Sequence, residues 1–215
     1  MSGFQTYNTR GQLTIDSETK GITIGRLLNQ GSLLDTGYYV FNSPLGNGST
    51  LGYLRNNVFP NNQGLRWFQF TRNSYAFPGS SMFEANSVRF MTSTAGVAVP
   101  SGYLDVFSPS GELVWSAVGA SSVPRIRDFF TIPAGHNLVN TLTFETSFPD
   151  PWICMNQFPG NVSDDGTSVG YSGIFIRRNS STSFSLQYPS RYQNNYMTAM
   201  AGRAYSIALA QFIGY

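Results

Sequence analysis

Histidine and cysteine, the side chains that most often act as bases, nucleophiles and metal ligands, occur once each among the 215 residues. His136 stands in a Pro-Ala-Gly-His-Asn run that is typical of a turn, and a loop histidine that is solvated or hydrogen-bonded is the favoured interpretation. Cys154 is interpreted as a small buried apolar residue, because a nucleophilic thiol needs a base beside it. One histidine and one cysteine are too few for a histidine-rich zinc site. The sequence therefore predicts no catalytic residue, metal or cofactor of this kind.

Paired carboxylates offer a second kind of chemistry, the hydrolysis of glycosidic bonds. Glu145 with Asp150 is the candidate pair, whereas Asp164 and Asp165 are adjacent and would point apart on an extended chain. Residues 161–166 are also rich in oxygen ligands but lack the alternating acidic spacing of a calcium loop, so an Asx-rich turn is favoured. We predict that the chain is not an enzyme, with a glycan depolymerase kept as a third alternative.

A segment rich in Tyr, Asn, Ser and Arg indicates recognition more strongly than any catalytic pattern. Recognition loops favour these residues because tyrosine supplies contact area at a low entropy cost. The alternative is that the tyrosines cover the edge of the core. The binding residues predicted from residues 187–196 and from the separate aromatic strand at 66–71 are Tyr188, Arg191, Tyr192, Tyr196 and Trp67.

Composition narrows the class of protein. Charged residues make up 11% against about 25% in average proteins, and aromatic residues make up 15%, a balance that argues against disorder. The net charge is +2 and the arginines are scattered, so nucleic-acid binding is not predicted. No run approaches the roughly 20 apolar residues of a membrane helix, so no membrane span is predicted.

Short apolar and aromatic runs separated by Gly, Pro, Asn and Ser predict strands, and no stretch keeps a helical period. The fold class predicted is all-β, an antiparallel β-sandwich. The predicted strands are at 21–25, 38–41, 66–71, 88–92, 125–132, 138–144, 152–155, 173–177, 183–188 and 204–213.

Two hairpins with the same pattern lie one hundred residues apart, at residues 4–16 and 104–116. In each, an aromatic-containing strand enters a four-residue turn closed by Gly11 or Gly111 and leaves through an apolar strand. Pro109 presets φ for a type I turn, and glycine supplies the left-handed residue of a bulged hairpin. The repeat predicts two β-sandwich units at 1–100 and 101–215. A single sandwich that uses the hairpin twice is the alternative.

The first hairpin, with residues 22–28 and Gly31-Ser32 behind it, resembles the β-hairpin of bacteriophage tail-associated proteins. The resemblance covers about the first thirty residues. It implies a structural component of a phage tail, at the tip, baseplate, collar or a fibre, made in the bacterial host cytoplasm and located in the virion.

The same resemblance implies binding to other phage tail proteins, homo-oligomerisation and contact with the host surface, where a bacterial glycan is a candidate ligand. Residues 1–100 would attach to the virion, and residues 101–215 would contact a partner or receptor. A carbohydrate-binding module or lectin is the main alternative, because it shares the fold and the aromatic loops.

Overall fold

The computed structural model describes residues 5–9, 11, 13–16, 18, 23–29, 34–40, 50–54, 64–94 and 98–213. The described residues form β1 (Gln5–Tyr7), β2 (Leu13–Asp16), β3 (Thr23–Asn29), β4 (Leu34–Val40), β5 (Thr50–Leu54), β6 (Leu65–Phe70), β7 (Tyr75–Phe77), β8 (Met82–Glu84), β9 (Val88–Thr94), β10 (Asp105–Phe107), β11 (Leu113–Ser116), β12 (Arg125–Ile132), β13 (Leu142–Glu145), β14 (Trp152–Cys154), β15 (Gly160–Asp164), β16 (Val169–Gly173), β17 (Phe175–Arg178), β18 (Ser183–Gln187), β19 (Ser190–Arg191) and β20 (Tyr205–Gln211). Helical structure in these residues comprises α1 (Tyr196–Met200) and the 3-10 helices Pro78–Ser80, Gly119–Ser122 and Met155–Gln157.

Two large antiparallel sheets pack face to face, which confirms the predicted all-β sandwich. The six-stranded sheet has the order β12-β20-β14-β6-β9-β3, and the seven-stranded sheet has the order β13-β18-β17-β7-β8-β5-β4. A third sheet, β15-β16-β19, and two separate hairpins, β1-β2 and β10-β11, complete the described strands.

The main core lies between the two large sheets and is dominated by phenylalanine. Phe83 of the seven-stranded sheet contacts Phe68 and Phe90 of the six-stranded sheet, with ring centroids 5.4 and 4.9 Å apart. Phe130 and Phe184 make a similar contact between the sheets at 5.3 Å. All five rings are almost completely buried. Each contributes about 1.5–3 kcal/mol through burial alone, so this layer holds the two sheets together.

The strand order corrects the predicted division into units at 1–100 and 101–215. In the six-stranded sheet β14 lies between β20 and β6, and Ile153 pairs with both Leu209 and Phe68. In the seven-stranded sheet β17 pairs with β18 on one side and β7 on the other. Since both halves contribute strands to both sheets and to one core, the strand order supports the alternative of a single sandwich that uses its hairpin twice.

The two hairpins have the predicted geometry, and their registers correspond at a spacing of one hundred residues. Tyr7 pairs with Leu13 and Phe107 pairs with Leu113, and in each hairpin the next residue of the second strand, Thr14 or Val114, is the extra residue of a bulge. Gly11 has a φ of 74° and Gly111 a φ of 84°. The Gly111 amide donates to the Ser108 carbonyl at 2.9 Å, which closes the turn around Pro109. The bulge and the left-handed glycine are the features of a three-residue hairpin loop.

The small third sheet covers the outer face of the seven-stranded sheet. Tyr171 of β16 joins a buried cluster in which Phe77 and Phe175 stack with ring centroids 4.4 Å apart. At the junction, three glycines of different segments touch, because side chains there would separate the layers. The three are Gly79, Gly160 and Gly173.

Of residues 161–166, interpreted as an Asx-rich turn, residues 161–164 belong to β15, and the turn to β16 is formed by residues 165–168. The residues of β15 are largely exposed and polar, so the sequence shows no alternation of apolar residues there. The strand is formed by pairing with β16. At residues 138–144, the strand is limited to Leu142–Glu145, and Leu138 is buried within a turn.

Candidate functional site

The predicted recognition segment folds so that two of its tyrosines point into the core. Tyr188 is 3% exposed and Tyr196 is 0% exposed, and their rings meet edge to face at 5.3 Å. Asn195 caps α1 by accepting a hydrogen bond from the Thr198 amide at 3.0 Å, which places Tyr196 in the first helical turn against the core. Burial raises the pKa of the Tyr196 hydroxyl. Tyr188 and Tyr196 are therefore not part of a binding surface. For these two residues the alternative interpretation, that the tyrosines cover the core, is the correct one.

Trp67 is also buried rather than exposed. It is 1% exposed, and its Nε1–H donates to the Ser93 hydroxyl at 2.8 Å. Together with Phe212, which contacts its ring edge to face at 5.8 Å, it belongs to a cluster on the outer face of the six-stranded sheet. The aromatic density of β6 reflects burial on both of its faces.

Arg191 and Tyr192 are the two predicted binding residues that lie on the surface. Tyr192 is 75% exposed with a φ of 57°, and the Arg191 guanidinium lies 5.1 Å from the centre of its ring. The segment is anchored by pairing of Arg191 with Tyr171 and by Gln193, whose side chain bonds Ser163 and Ser172. This arrangement presents one cation and one aromatic face to solvent.

The histidine and the cysteine occupy the places expected of structural residues. Cys154 is buried, and desolvation raises the pKa of its thiol, which disfavours the nucleophilic thiolate. His136 lies in the predicted turn, where its amide donates to the Pro133 carbonyl at 3.2 Å, but its Nε2 is buried and has no hydrogen-bond partner among the described residues, which the prediction of a solvated or hydrogen-bonded histidine did not include.

The carboxylates considered for catalysis have different surroundings. Glu145 is exposed on β13, whereas Asp150 forms an ion pair with Arg178 at 2.7 Å. Asp165 accepts hydrogen bonds from the Ser168 and Thr167 amides, which lower the pKa of its carboxyl, as in an Asx turn. Within the described ranges, no group of three or more His, Cys, Asp or Glu side chains is placed to hold a metal ion.

Strand β12 exposes apolar side chains on its outer face, and we call Ile126 and Phe129 the edge surface. They are 45% and 50% exposed and lie opposite the small residues Ala210 and Ala208 of β20. In the described part of the chain no strand other than β20 pairs with β12, although the Phe129 amide donates to the Asp128 carboxylate at 2.8 Å and the Ser147 amide donates to the same carboxylate, so this edge is open only in part. An eight-residue edge strand with exposed apolar residues is a template for pairing with another chain.

The hairpin β10-β11 adds a second apolar area, which we call the hairpin surface and define by Tyr103, Leu104 and Phe107. All three are more than half exposed. Tyr103 has a φ of 62°, a conformation that is unusual for a bulky residue. Asp105 holds this loop by accepting from the Ser101 hydroxyl and the Gly102 amide, and these bonds lower the pKa of its carboxyl. Backbone strain that displays an aromatic ring to solvent points to a contact role.

Sequence reasoning predicted β12 with its correct bounds, but it did not identify Ile126 and Phe129 as surface residues. The available signal was that this strand has apolar residues for both faces, with Phe130 and Ile132 directed inward.

Comparisons with known proteins identify one family. A family model described as "Domain of unknown function (DUF8377)" matches residues 1–214. No curated protein matches the chain, and no solved structure matches it. A search of the described helices finds none that is long and apolar enough to span a membrane.

Proposed function

The chain belongs to the DUF8377 family, and from that premise we propose that it is a structural component of a bacteriophage tail that acts by protein–protein binding. The proposal joins two lines of support. One is the resemblance of its opening hairpin to those of tail-associated proteins, and the other is the apolar surface at residues 103–129.

The observation that carries the proposal is the concentration of exposed apolar side chains in this one stretch. The edge surface and the hairpin surface follow one another along the chain and contribute five large exposed apolar residues. Neighbouring exposed apolar side chains, such as Ile126 and Phe129 on one face of β12, are typical of an interaction site. Arg125 and Arg127, both exposed, flank Ile126 on β12. Arginine is enriched at interfaces because its planar head loses little hydration there.

Self-association fits the geometry of the edge. Two copies of β12 placed antiparallel would pair their unpaired backbone groups and bring the Ile126 and Phe129 side chains of both copies together. Such a contact uses the same patch on each subunit, as in most homodimers. Other tail proteins would bind the hairpin surface, which shares no residue with β12.

A carbohydrate-binding module is the second candidate. The pattern that favoured it was a tyrosine-rich loop, and burial of Tyr188, Tyr196 and Trp67 removes most of that support. The exposed pair Arg191 and Tyr192 is the observation that keeps it as an alternative. The third candidate, a glycan depolymerase, depends on Glu145 and Asp150, and Asp150 is engaged with Arg178.

Localisation tests the proposal. We expect antibodies against the chain to label one end of intact particles in immunogold electron microscopy, and we expect the chain to co-sediment with purified virions. Particles of an otherwise identical phage that lacks only this chain serve as the control. Particles free of label, with all of the chain left in the soluble fraction, would contradict a role in the tail.

A further inference from the structure

The two halves of the chain repeat one strand order within the single sandwich. In the six-stranded sheet β3, β9 and β6 run from one edge to the centre, and β12, β20 and β14 do the same from the other edge. In the seven-stranded sheet β4, β8 and β7 correspond to β13, β18 and β17 in this way. Both edge strands, β3 and β12, carry a bulge, between Ile24 and Arg26 and between Ile126 and Asp128. The large sheets are therefore a scaffold of two related halves, joined by β6 with β14 and β7 with β17.

The third sheet has no counterpart among the described strands of the first half. There, residues 71–74 connect β6 to β7 and residues 85–87 connect β8 to β9. The corresponding connections of the second half are the long insertions 155–174 and 188–204, which pair with each other through β16 and β19. The extra strand of the first half, β5, joins a large sheet instead. Since segments added to a rigid scaffold commonly carry binding residues, the third sheet is the strongest location for a ligand site.

The outer face of the third sheet is covered by a network of neutral polar side chains. Tyr171 points inward to the seven-stranded sheet, so Ser172 and its cross-strand partner Asn161 lie on the outer face. Gln193 lies across this face. Its Oε1 accepts from Asn161 Nδ2 at 3.2 Å and from the Ser172 hydroxyl at 2.8 Å, and its Nε2 donates to the Ser163 hydroxyl at 3.0 Å. The network fixes the orientation of both amides.

The network keeps hydrogen-bonding groups for a ligand. Asn161 is exposed, and its Oδ1 and second N–H are not used within the described residues. Gln193, which is partly exposed, keeps its second N–H in the same way. These groups include donors and an acceptor but no charge. They therefore suit hydroxyl groups, which both donate and accept, better than an anion or a cation.

Tyr192 adds an aromatic face directly before Gln193 in the chain. It is 75% exposed with a φ of 57°, a conformation that a bulky residue adopts when its surroundings impose it. The Arg191 guanidinium lies 5.1 Å from the ring centre, so it covers one face and leaves the other open to solvent. A pyranose has an apolar C–H face that packs on such a ring and hydroxyl groups that bond amides.

We propose that the outer face of the third sheet binds a neutral carbohydrate, with a pyranose ring packed on Tyr192 and hydroxyl groups bonded to Asn161 and Gln193. The site is independent of the assembly role, because it shares no residue with the edge surface or the hairpin surface. Failure to bind sugars would leave self-association through β12 unaffected, and a monomeric wild type would leave the carbohydrate site unaffected.

Titration with four neutral probes tests the site, namely the methyl glycosides of D-glucose, D-galactose, D-mannose and N-acetyl-D-glucosamine. The readout is the side-chain amide cross-peaks in a nitrogen–proton spectrum, where loss of one pair in Gln193→Ala assigns the Gln193 signals. We expect these signals to move with at least one glycoside at millimolar concentrations. Glycerol, which has hydroxyl groups but no sugar ring, should leave them unmoved.

Variants separate this site from other exposed aromatic residues. Tyr192→Ala is expected to weaken glycoside binding about tenfold, because the ring contact is lost. Tyr103→Ala is the matched control, since Tyr103 is also exposed and has a φ of 62°, and it should bind as the wild type does. Isothermal calorimetry gives these constants even if Gln193→Ala fails to fold. No binding of any of the four glycosides to the wild type, or equal binding by Tyr192→Ala and the wild type, would overturn the proposal.

Discussion

Replacing Gly173 by alanine is expected to lower the free energy of unfolding by roughly 3 kcal/mol or more. A Cβ at this position would lie 2.5 Å from the Gly160 Cα, 2.5 Å from the Phe77 ring and 2.6 Å from the Pro159 carbonyl oxygen. Two of these atoms belong to the backbone of β15 and the segment before it, so they cannot move away without breaking the pairing of β15 with β16. The φ of 153° adds strain for any residue with a side chain.

Gly166→Ala is the matched control, because it makes the same change at a glycine that also has a positive φ. Gly166 has a φ of 82°, but its Cβ would meet nothing within 4 Å. We expect a loss of about 1 kcal/mol there, from backbone strain alone. Urea denaturation followed by tryptophan fluorescence measures both values. Equal losses for the two variants would show that Gly173 is not packed closely against Gly160, Pro159 and Phe77.

Truncating Phe68 to alanine is expected to cost about 3–5 kcal/mol, the usual range for a buried phenylalanine. The side chain is 0% exposed and contacts Phe70, Phe83 and Phe158, so the cavity has no room to collapse without disturbing both sheets. Phe184→Ala, in the other half of the chain, should lower the temperature of the same unfolding transition, because Phe184 packs in the same core.

Calorimetry distinguishes one unit from two. With a shared core, both variants shift a single unfolding transition to lower temperature. If there were two unfolding transitions, and Phe68→Ala shifted one while Phe184→Ala shifted the other, the chain would consist of two units divided near residue 101. Phe107→Ala, at an exposed ring of the hairpin surface, should change stability by no more than about 0.5 kcal/mol.

Local patterns in the sequence predicted local structure well. The hairpin turns depend on Gly11, Gly111 and Pro109, whose conformational preferences are properties of single residues, so the bulged loops could be derived without tertiary information. The bounds of β12 were also correct, since its apolar residues stop at turn residues on both sides.

Long-range pairing could not be predicted in the same way. Nothing in residues 152–154 indicates that β14 pairs with β6 on one side and β20 on the other, because pairing partners are chosen by packing of the whole core. The hairpin repeat led to a two-unit prediction because it repeats a turn, and a repeated turn does not require a repeated core.

Side-chain type alone did not separate recognition from burial. Tyr188, Tyr192 and Tyr196 are spaced four apart and share one chemical character, yet one is exposed and two are buried. The difference comes from the backbone, where Asn195 caps α1 and turns Tyr196 inward, while a φ of 57° turns Tyr192 outward.

The mass of the purified chain in solution tests the assembly account most directly. We expect sedimentation over a concentration series to give multiples of 23.7 kDa for the wild type and 23.7 kDa for the Ile126→Lys, Phe129→Lys variant, whose added charges repel across the paired edges. Val139→Lys with Met197→Lys is the control, because both residues are exposed and apolar but lie outside the edge surface. A wild type that stays at 23.7 kDa at every concentration, or an edge variant that assembles like the wild type, would contradict association through β12.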